Sequence, residues 1–260
     1  MHPTKKNILA LALYAGEIML KNGAETYRVE DTIIRICQAY NINRVESFVT
    51  PTGIFVSVDD QNNGDEAISF LKRIKNRTID LNKISKINDF SRTIAISHLS
   101  TDEGMKILRD IDALPKYNKY LKTLCAGITS AFLGILLGAT ITDAITSFFV
   151  SILVYIFVTF VDNLNSNVFI QNASGGAMAS LLAILAVHLN IGVNLDKIII
   201  SSIMILVPGV AITNAIRDSI SGDFLSGLAR AAEAAIIAIA IAVGAGTVMN
   251  TWIQIFGGVR

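Results

Sequence analysis

The densest concentration of side chains able to do chemistry falls within 207–233. Val207-Pro208-Gly209 is followed by Asn214, the Arg217-Asp218 pair, Asp223, and then Arg230 and Glu233, all in an otherwise apolar stretch. Ionisable groups at membrane depth are costly unless paired or wet, so their presence there marks functional candidates. Proline removes a backbone donor and glycine weakens the helix around it, and helices broken this way line substrate cavities. Asp218, Asp223 and Glu233 could bind an amine or carry a proton. Arg217 and Arg230 could hold a carboxylate or neutralise those acids. A cytoplasmic loop network with anchors at the membrane edge explains the same five charges, and both readings stay open.

A second polar concentration, Gly23 through Glu30, sits at the start of an expected helix. Glu25, Arg28 and Glu30 could meet solute or a partner at a pore mouth, although solvated pairing at i,i+3 and i,i+4 is the simpler account. Asp143 and Asp162 fall at helix ends, where a loop position or an N-cap explains them. Asn163, Asn165, Asn167, Gln171 and Asn172 read as an interfacial loop, and His188 as an interfacial hydrogen-bonding group. Gly134 and Gly138 have the spacing that lets helix backbones approach. Cys37 and Cys125 are far apart, which makes neither a disulfide framework nor a metal site, and both read as small buried apolar groups.

Several chemistries are excluded. There is no phosphate-binding Gly-rich loop with Lys, no zinc-protease His pair and no nucleophile elbow, so transport would draw on an ion gradient, the substrate gradient or a partner subunit. No metal or cofactor is expected. A formal net charge of +1, with acids and bases mixed, argues against a nucleic-acid partner.

Two regions must position these groups. All but four of the 22 Lys and Arg residues lie at or before Lys122, the exceptions being Lys197, Arg217, Arg230 and Arg260. The spacing of Ile8, Leu9, Leu11, Leu13, Ile18 and Met19 predicts a helix over 5–21, and Val29, Ile33, Ile34, Ile36 and Cys37 a second over 24–40. Asn22-Gly23 separates them. Short β-branched and aromatic runs at 45–50 and 54–58, about Pro51-Thr52-Gly53, predict two strands and a turn. A turn at Gln61-Asn62-Asn63-Gly64 and a third strand over 67–74 follow. Helices over 81–98 and 101–114 close a small α+β domain, residues 1–116; the second has Thr101 as cap and Asp102 and Glu103 in its first turn. The N-terminus, from Met1 and His2 onward, shows no signal-peptide pattern.

After Pro115 the chain reads as a membrane body, residues 117–260. Five apolar spans, about 121–139, 142–161, 174–191, 198–216 and 228–249, approach the ~20 residues needed to cross a bilayer. The fold class is therefore an α-helical polytopic membrane domain of five transmembrane helices behind a small α+β domain. Lys106, Arg109, Lys116, Lys119 and Lys122 flank the first span, which predicts a cytoplasmic N-terminal domain, a multi-pass plasma-membrane location, and Lys197 and Arg260 outside.

With these elements in order, the chain resembles the threonine/serine exporter family in its split form. The resemblance rests on Gly23…Arg28-Val29-Glu30, Val49-Thr50-Pro51-Thr52-Gly53-Ile54, the helical pair over 81–114, Pro208-Gly209 through Arg217-Asp218, Gly222-Asp223, and Arg230…Glu233. It implies a proton-motive-force-dependent exporter of threonine, serine or dicarboxylates such as succinate. It also implies a second membrane subunit, since full-length members carry about twice as many spans, and five plus five suits an inverted pseudo-symmetric pair. Homo-oligomerisation is a further expectation. Two other classes compete: a membrane-anchored hydrolase, for which the first half offers only His2 and His98, and a ligand-binding sensor or scaffold.

Overall fold

The computed structural model describes residues 4–58, 67–97, 99–115, 117–164 and 166–257. His2, the turn expected at Gln61 to Gly64, His98, Lys116, Asn165 and Arg260 lie outside them. The chain forms two compact units, Met1–Pro115 with Val210–Ala231, and Lys116–Gly209 with Ala232–Arg260. The segment Val210–Ala231 thus folds with the N-terminal residues, although it lies far along the apolar half of the sequence.

The first unit is organised around α1 (Lys5–Lys21), whose side chains are buried on most of its circumference, Leu9, Leu11, Ile18, Met19 and Leu20 completely. A helix apolar all round belongs in a core rather than on a surface. α2 (Thr26–Ala39) packs against it so closely that a Cβ at Gly16 would meet Ile33 and Val29. The chain reverses between them at Gly23, whose φ of +94° suits glycine. Strands β1 (Val45–Thr50), β2 (Gly53–Val58) and β3 (Ile68–Arg73) form an antiparallel sheet in that order, with Thr50 opposite Gly53 and Val58 opposite Ile68. Alternation places Val49, Ile54, Val56 and Val58 in the core and leaves Phe48, Phe55 and Leu71 exposed on the other face.

α3 (Leu81–Ser97) and α4 (Thr101–Asp112) complete the core. The cap of α4 is Ser100, not Thr101: Glu103 N donates to Ser100 Oγ, and the Glu103 carboxylate accepts from Ser100 N at 3.0 Å. This reciprocal arrangement satisfies two orphan donors, which Thr101 one residue later could not do.

The second unit contains α5 (Lys119–Leu136), α6 (Ile141–Asn163), α7 (Val168–His188), α8 (Leu195–Ile203) with a 3-10 turn at Met204–Leu206, and most of α10 (Phe224–Phe256). Its core is small, centred on Val150, Val154, Ala179, Ala183, Ile198 and Ile199, while Phe132, Phe149, Ile156, Phe160 and Ile239 face outward. Small residues inside with large apolar ones outside is the arrangement expected in lipid. Cβ atoms at Gly176 and Gly244 would strike the backbone of Ile241 and Ala173, so α7 and α10 touch through glycine. Gly134 packs on Ser201 of α8. Gly138, by contrast, ends α5 with a φ of +77° and gives its carbonyl to Lys197 Nζ, so it serves as a terminator, not a helix-contact residue. Cys37 is buried as expected, with its thiol pushed up to about 12 by burial, whereas Cys125 is exposed.

Among the described residues three helices, α6, α7 and α10, are long and apolar enough to cross a membrane, and α8 with α9 (Gly209–Ile220) makes a fourth if counted as one bent span. Of the five expected spans, these account for three or four. α5 falls short because Lys119 and Lys122 occupy the first turn of its 18 residues. The fourth apolar stretch is not one straight helix, because Pro208 follows the extended Val207 and has no N–H to offer the turn before it.

Candidate functional site

α2 begins at Thr26, and Glu25 in the N-cap position makes no side-chain cap bond. The exposed amides of a helix start attract anions. That role is taken by carboxylates from α9 and the turn after it: Thr26 N donates to Asp218 Oδ1 at 3.1 Å, and Thr26 Oγ1 to Asp223 Oδ2 at 3.2 Å. The turn that carries Asp223 depends on Gly222, at φ +95°, and Asp223 N closes it onto Asp218 O at 2.8 Å. A Cβ at Gly227 would collide with Ser219 and the Ala215 carbonyl, so the first turns of α10 lie directly against α9.

The second oxygen of Asp218 lies 2.9 Å from Arg230 Nε, with side-chain exposures of 0% and 5%. The approach is not that of an aligned hydrogen bond, so the contact is ionic. Arg230 Nη2 donates to Ala24 O at 2.8 Å and Asn214 Nδ2 to Gly23 O at 2.9 Å, fastening the loop before α2. Arg217 Nη1 reaches Glu25 Oε1 at 2.6 Å, and Arg28 Nη1 reaches the other carboxylate oxygen at 3.3 Å. Glu30 accepts from Val49 N at 2.8 Å while Ser226 Oγ donates to Val49 O at 3.3 Å, so the outer edge of β1 is hydrogen-bonded at that residue.

Eight candidates from the sequence therefore meet in one place: Glu25, Arg28, Glu30, Asn214, Arg217, Asp218, Asp223 and Arg230. Glu25 does pair with Arg28 at i,i+3, but it is buried and also tied to Arg217, so the pair is not a solvated one. Pro208 and Gly209 lie in the helix break before α9, and Glu233 is half-buried in the second unit's part of α10. Thr26 and Ser226 had no signal in the sequence, since a threonine and a serine acquire these partners only through pairing across some 180 to 200 positions.

Four carboxylates share the cluster with three guanidinium groups, an excess of one acid. Burial pushes the Glu25 carboxyl up, but its backbone hydrogen bond, the bond from Arg217 and the charges of Arg28 and Arg217 outweigh this and hold it below the usual range. Glu30 goes the other way: burial raises it and the charges of Asp223 and Asp218 add to that, against the single bond from Val49. Such a site can hold a proton on one acid, exchange ion pairs, or offer an arginine to a carboxylate.

Asp143 has a separate and structural job in the second unit. It sits in the first turn of α6 in a capping box with Thr140, and accepts from Val193 N at 2.7 Å, Asn194 N at 3.0 Å and Asn194 Nδ2 at 2.7 Å. His188 stands edge-on to Trp252, with ring centroids 5.8 Å apart.

Residues 10–252 match the family model described as "Putative threonine/serine exporter". Among curated proteins, the chain is 22% identical over 240 residues to a "Probable threonine/serine exporter" of Mycobacterium tuberculosis, covering 92% of this chain and 45% of that protein. It is 21% identical over 250 residues to the "Threonine/serine exporter" of Corynebacterium glutamicum, covering 94% and 51%. It is 23% identical over 250 residues to the "Probable succinate transporter subunit YjjP" of Escherichia coli, covering 95% and 96%. The chain thus spans about half the length of the two exporters it matches and nearly all of the subunit. No solved structure matches. Since the family match runs from α1 into the last turns of α10 and takes in every residue of the charge cluster, the chain belongs to the threonine/serine exporter family.

Proposed function

We propose that the chain is one subunit of a secondary exporter of small polar metabolites, amino acids of the threonine/serine type or dicarboxylates such as succinate. It is driven by the proton gradient and works with a second membrane subunit. The observation that carries this reading is the buried Asp218–Arg230 pair, set on otherwise apolar helices and bonded to the start of α2. A buried ion pair is a costly way to stabilise a fold and a natural way to build an element with two states.

In this reading α5 is a fifth crossing, with Lys119 and Lys122 snorkelling to the cytoplasmic surface. The N-terminal residues are cytoplasmic. α10, with 33 residues, is roughly 50 Å long at 1.5 Å per residue, well over the ~30 Å of hydrocarbon, so its first two turns, with Arg230, extend to the membrane surface. The cluster is then a cytoplasmic gate. Glu30, the acid in excess with a raised affinity for protons, takes up the coupling proton; Arg217 and Arg230 exchange their carboxylate partners for those of the solute. Pro208 and Gly209 give the helix before the gate its hinge, and Glu233 continues the proton path along α10. The relatives carry names of transporters, not enzymes, which supports a transport role over hydrolysis.

Proteoliposome efflux of threonine, serine and succinate, with and without a candidate second subunit, tests the proposal. Gradient-dependent efflux of at least one solute is expected in the two-subunit liposomes, and Asp218→Asn should abolish it without preventing membrane insertion. No flux of any of the three in either preparation would overturn the reading.

A further inference from the structure

On the first unit, α1, β3, the segment after it, α3 and the end of α4 line an open cavity of about 480 Å³. That size is in the range of small-molecule sites. Its wall carries five cations, Lys21, Lys72, Arg73, Lys75 and Lys83, against two acids, Glu17 and Asp112. Five like charges around one cavity repel one another, and the fold has arranged fixed anions to hold some of them in place. Glu17 is buried in an otherwise apolar helix and pairs with Lys21 at 2.6 Å and Lys72 at 2.9 Å. It therefore orients two ammonium groups without neutralising the cavity.

Lys83 is the deepest of the five, its side chain only 11% exposed. An ammonium has three donors. Lys83 Nζ gives one to Asp112 O at 2.5 Å, and the Asp112 carboxylate, 3.7 Å away, is too far for a second hydrogen bond. That carboxylate is also occupied by Tyr14, whose hydroxyl donates to it at 3.0 Å. A buried ammonium with donor capacity to spare at a cavity wall, with Arg73 and Lys75 at the same wall, calls for an oxygen-rich anion.

We infer that this cavity binds a small dianionic metabolite, one that carries a phosphate group or two carboxylates, at a site separate from the transport pathway. Two charges on the ligand leave the cavity close to balance with its net excess of three cations. The inference does not rest on the export reading, because the site is read out by equilibrium binding. Calorimetric titration of the full chain, in nanodiscs of zwitterionic lipid, with inorganic phosphate and separately with succinate is the test. A parallel preparation containing anionic lipid distinguishes a free ligand from a lipid headgroup. Saturable binding of at least one probe is expected, weakened by about tenfold or more in Arg73→Gln/Lys75→Gln, which alters exposed side chains only, and in Lys83→Gln. The same affinity in anionic nanodiscs is expected for a free-ligand site. Absence of saturable binding up to about 10 mM of either probe, unchanged affinity in the Arg73→Gln/Lys75→Gln protein, or full competition by anionic lipid would overturn the inference.

Discussion

Arg230→Gln gives the sharpest test of the charge cluster. In the native protein Asp218 and Arg230 are almost without solvent, and Arg230 also bonds the Ala24 carbonyl in front of α2. Removing the cation leaves Asp218 as a buried anion whose carboxylate, among the described residues, keeps the bond from the Thr26 amide. Breaking one side of a buried pair costs about 3–5 kcal/mol, whereas removing both sides is often close to neutral. Protection of the first amides of α2 against hydrogen exchange should therefore fall by roughly two to nearly four powers of ten in Arg230→Gln, up to the limit set by opening of the whole unit. The double variant Asp218→Asn/Arg230→Gln should recover most of this, since an asparagine oxygen still accepts from Thr26 N and no charge is left behind. Peptide-resolved hydrogen exchange on the wild type, both single variants and the double variant measures the coupling. If the losses simply add, within about 0.5 kcal/mol, the two side chains are not an energetic pair and the reasoning about the cluster fails.

Three further outcomes are expected. Glu30 has a raised pKa, so its contribution to stability is complete below the ordinary glutamate range and lost as pH rises through the raised value. Global stability, read by chemical denaturation in detergent, should fall across that window, and Glu30→Gln should flatten the profile; an unchanged profile would exclude Glu30 as the titrating group. Gly244→Ala drives a methyl into the Ala173 backbone and should lower the thermal midpoint by an amount corresponding to about 1–3 kcal/mol, read by thermal unfolding in detergent. Asp143→Ala removes the carboxylate that caps α6 and holds Val193 and Asn194, at about 1.5–3 kcal/mol for each hydrogen bond to a charged group; an Asp143→Ala protein as stable as wild type would contradict the capping role.

The local elements were legible because their signals are local. The 3.6-residue spacing of Ile8 to Met19 defines α1, and the β-branched runs either side of Pro51-Thr52 define a hairpin whose register places Thr50 opposite Gly53. The candidate residues were legible as types, since ionisable groups in an apolar stretch stand out. Their partners were not. Asp218 finds Thr26 across 192 positions and Arg230 finds Ala24 across 206, and no periodicity carries that information. The same limit hid the membership of Val210–Ala231 in the first unit, because its residues look like part of a span. Glu17 shows the same limit in part. Its pairing with Lys21 at i,i+4 is local, but its burial has no reading until Lys72 on β3 is placed beside it.

The long-range pairing changes what the acids can be asked to do. As a sequence, Asp218 and Glu233 are the natural proton carriers, being acids in membrane helices. In the fold, Asp218 is bound to a guanidinium at 2.9 Å and to a helix N-terminus at 3.1 Å. To carry a proton it would have to release one or both of these partners. Glu30 has one backbone donor, like charges for neighbours, and burial acting against its charge. Proton uptake there relieves repulsion with Asp223 and Asp218 instead of breaking an ion pair. In the proposed mechanism the proton-carrying residue, Glu30, therefore lies on α2, in the part of the chain that composition alone assigns to a soluble domain.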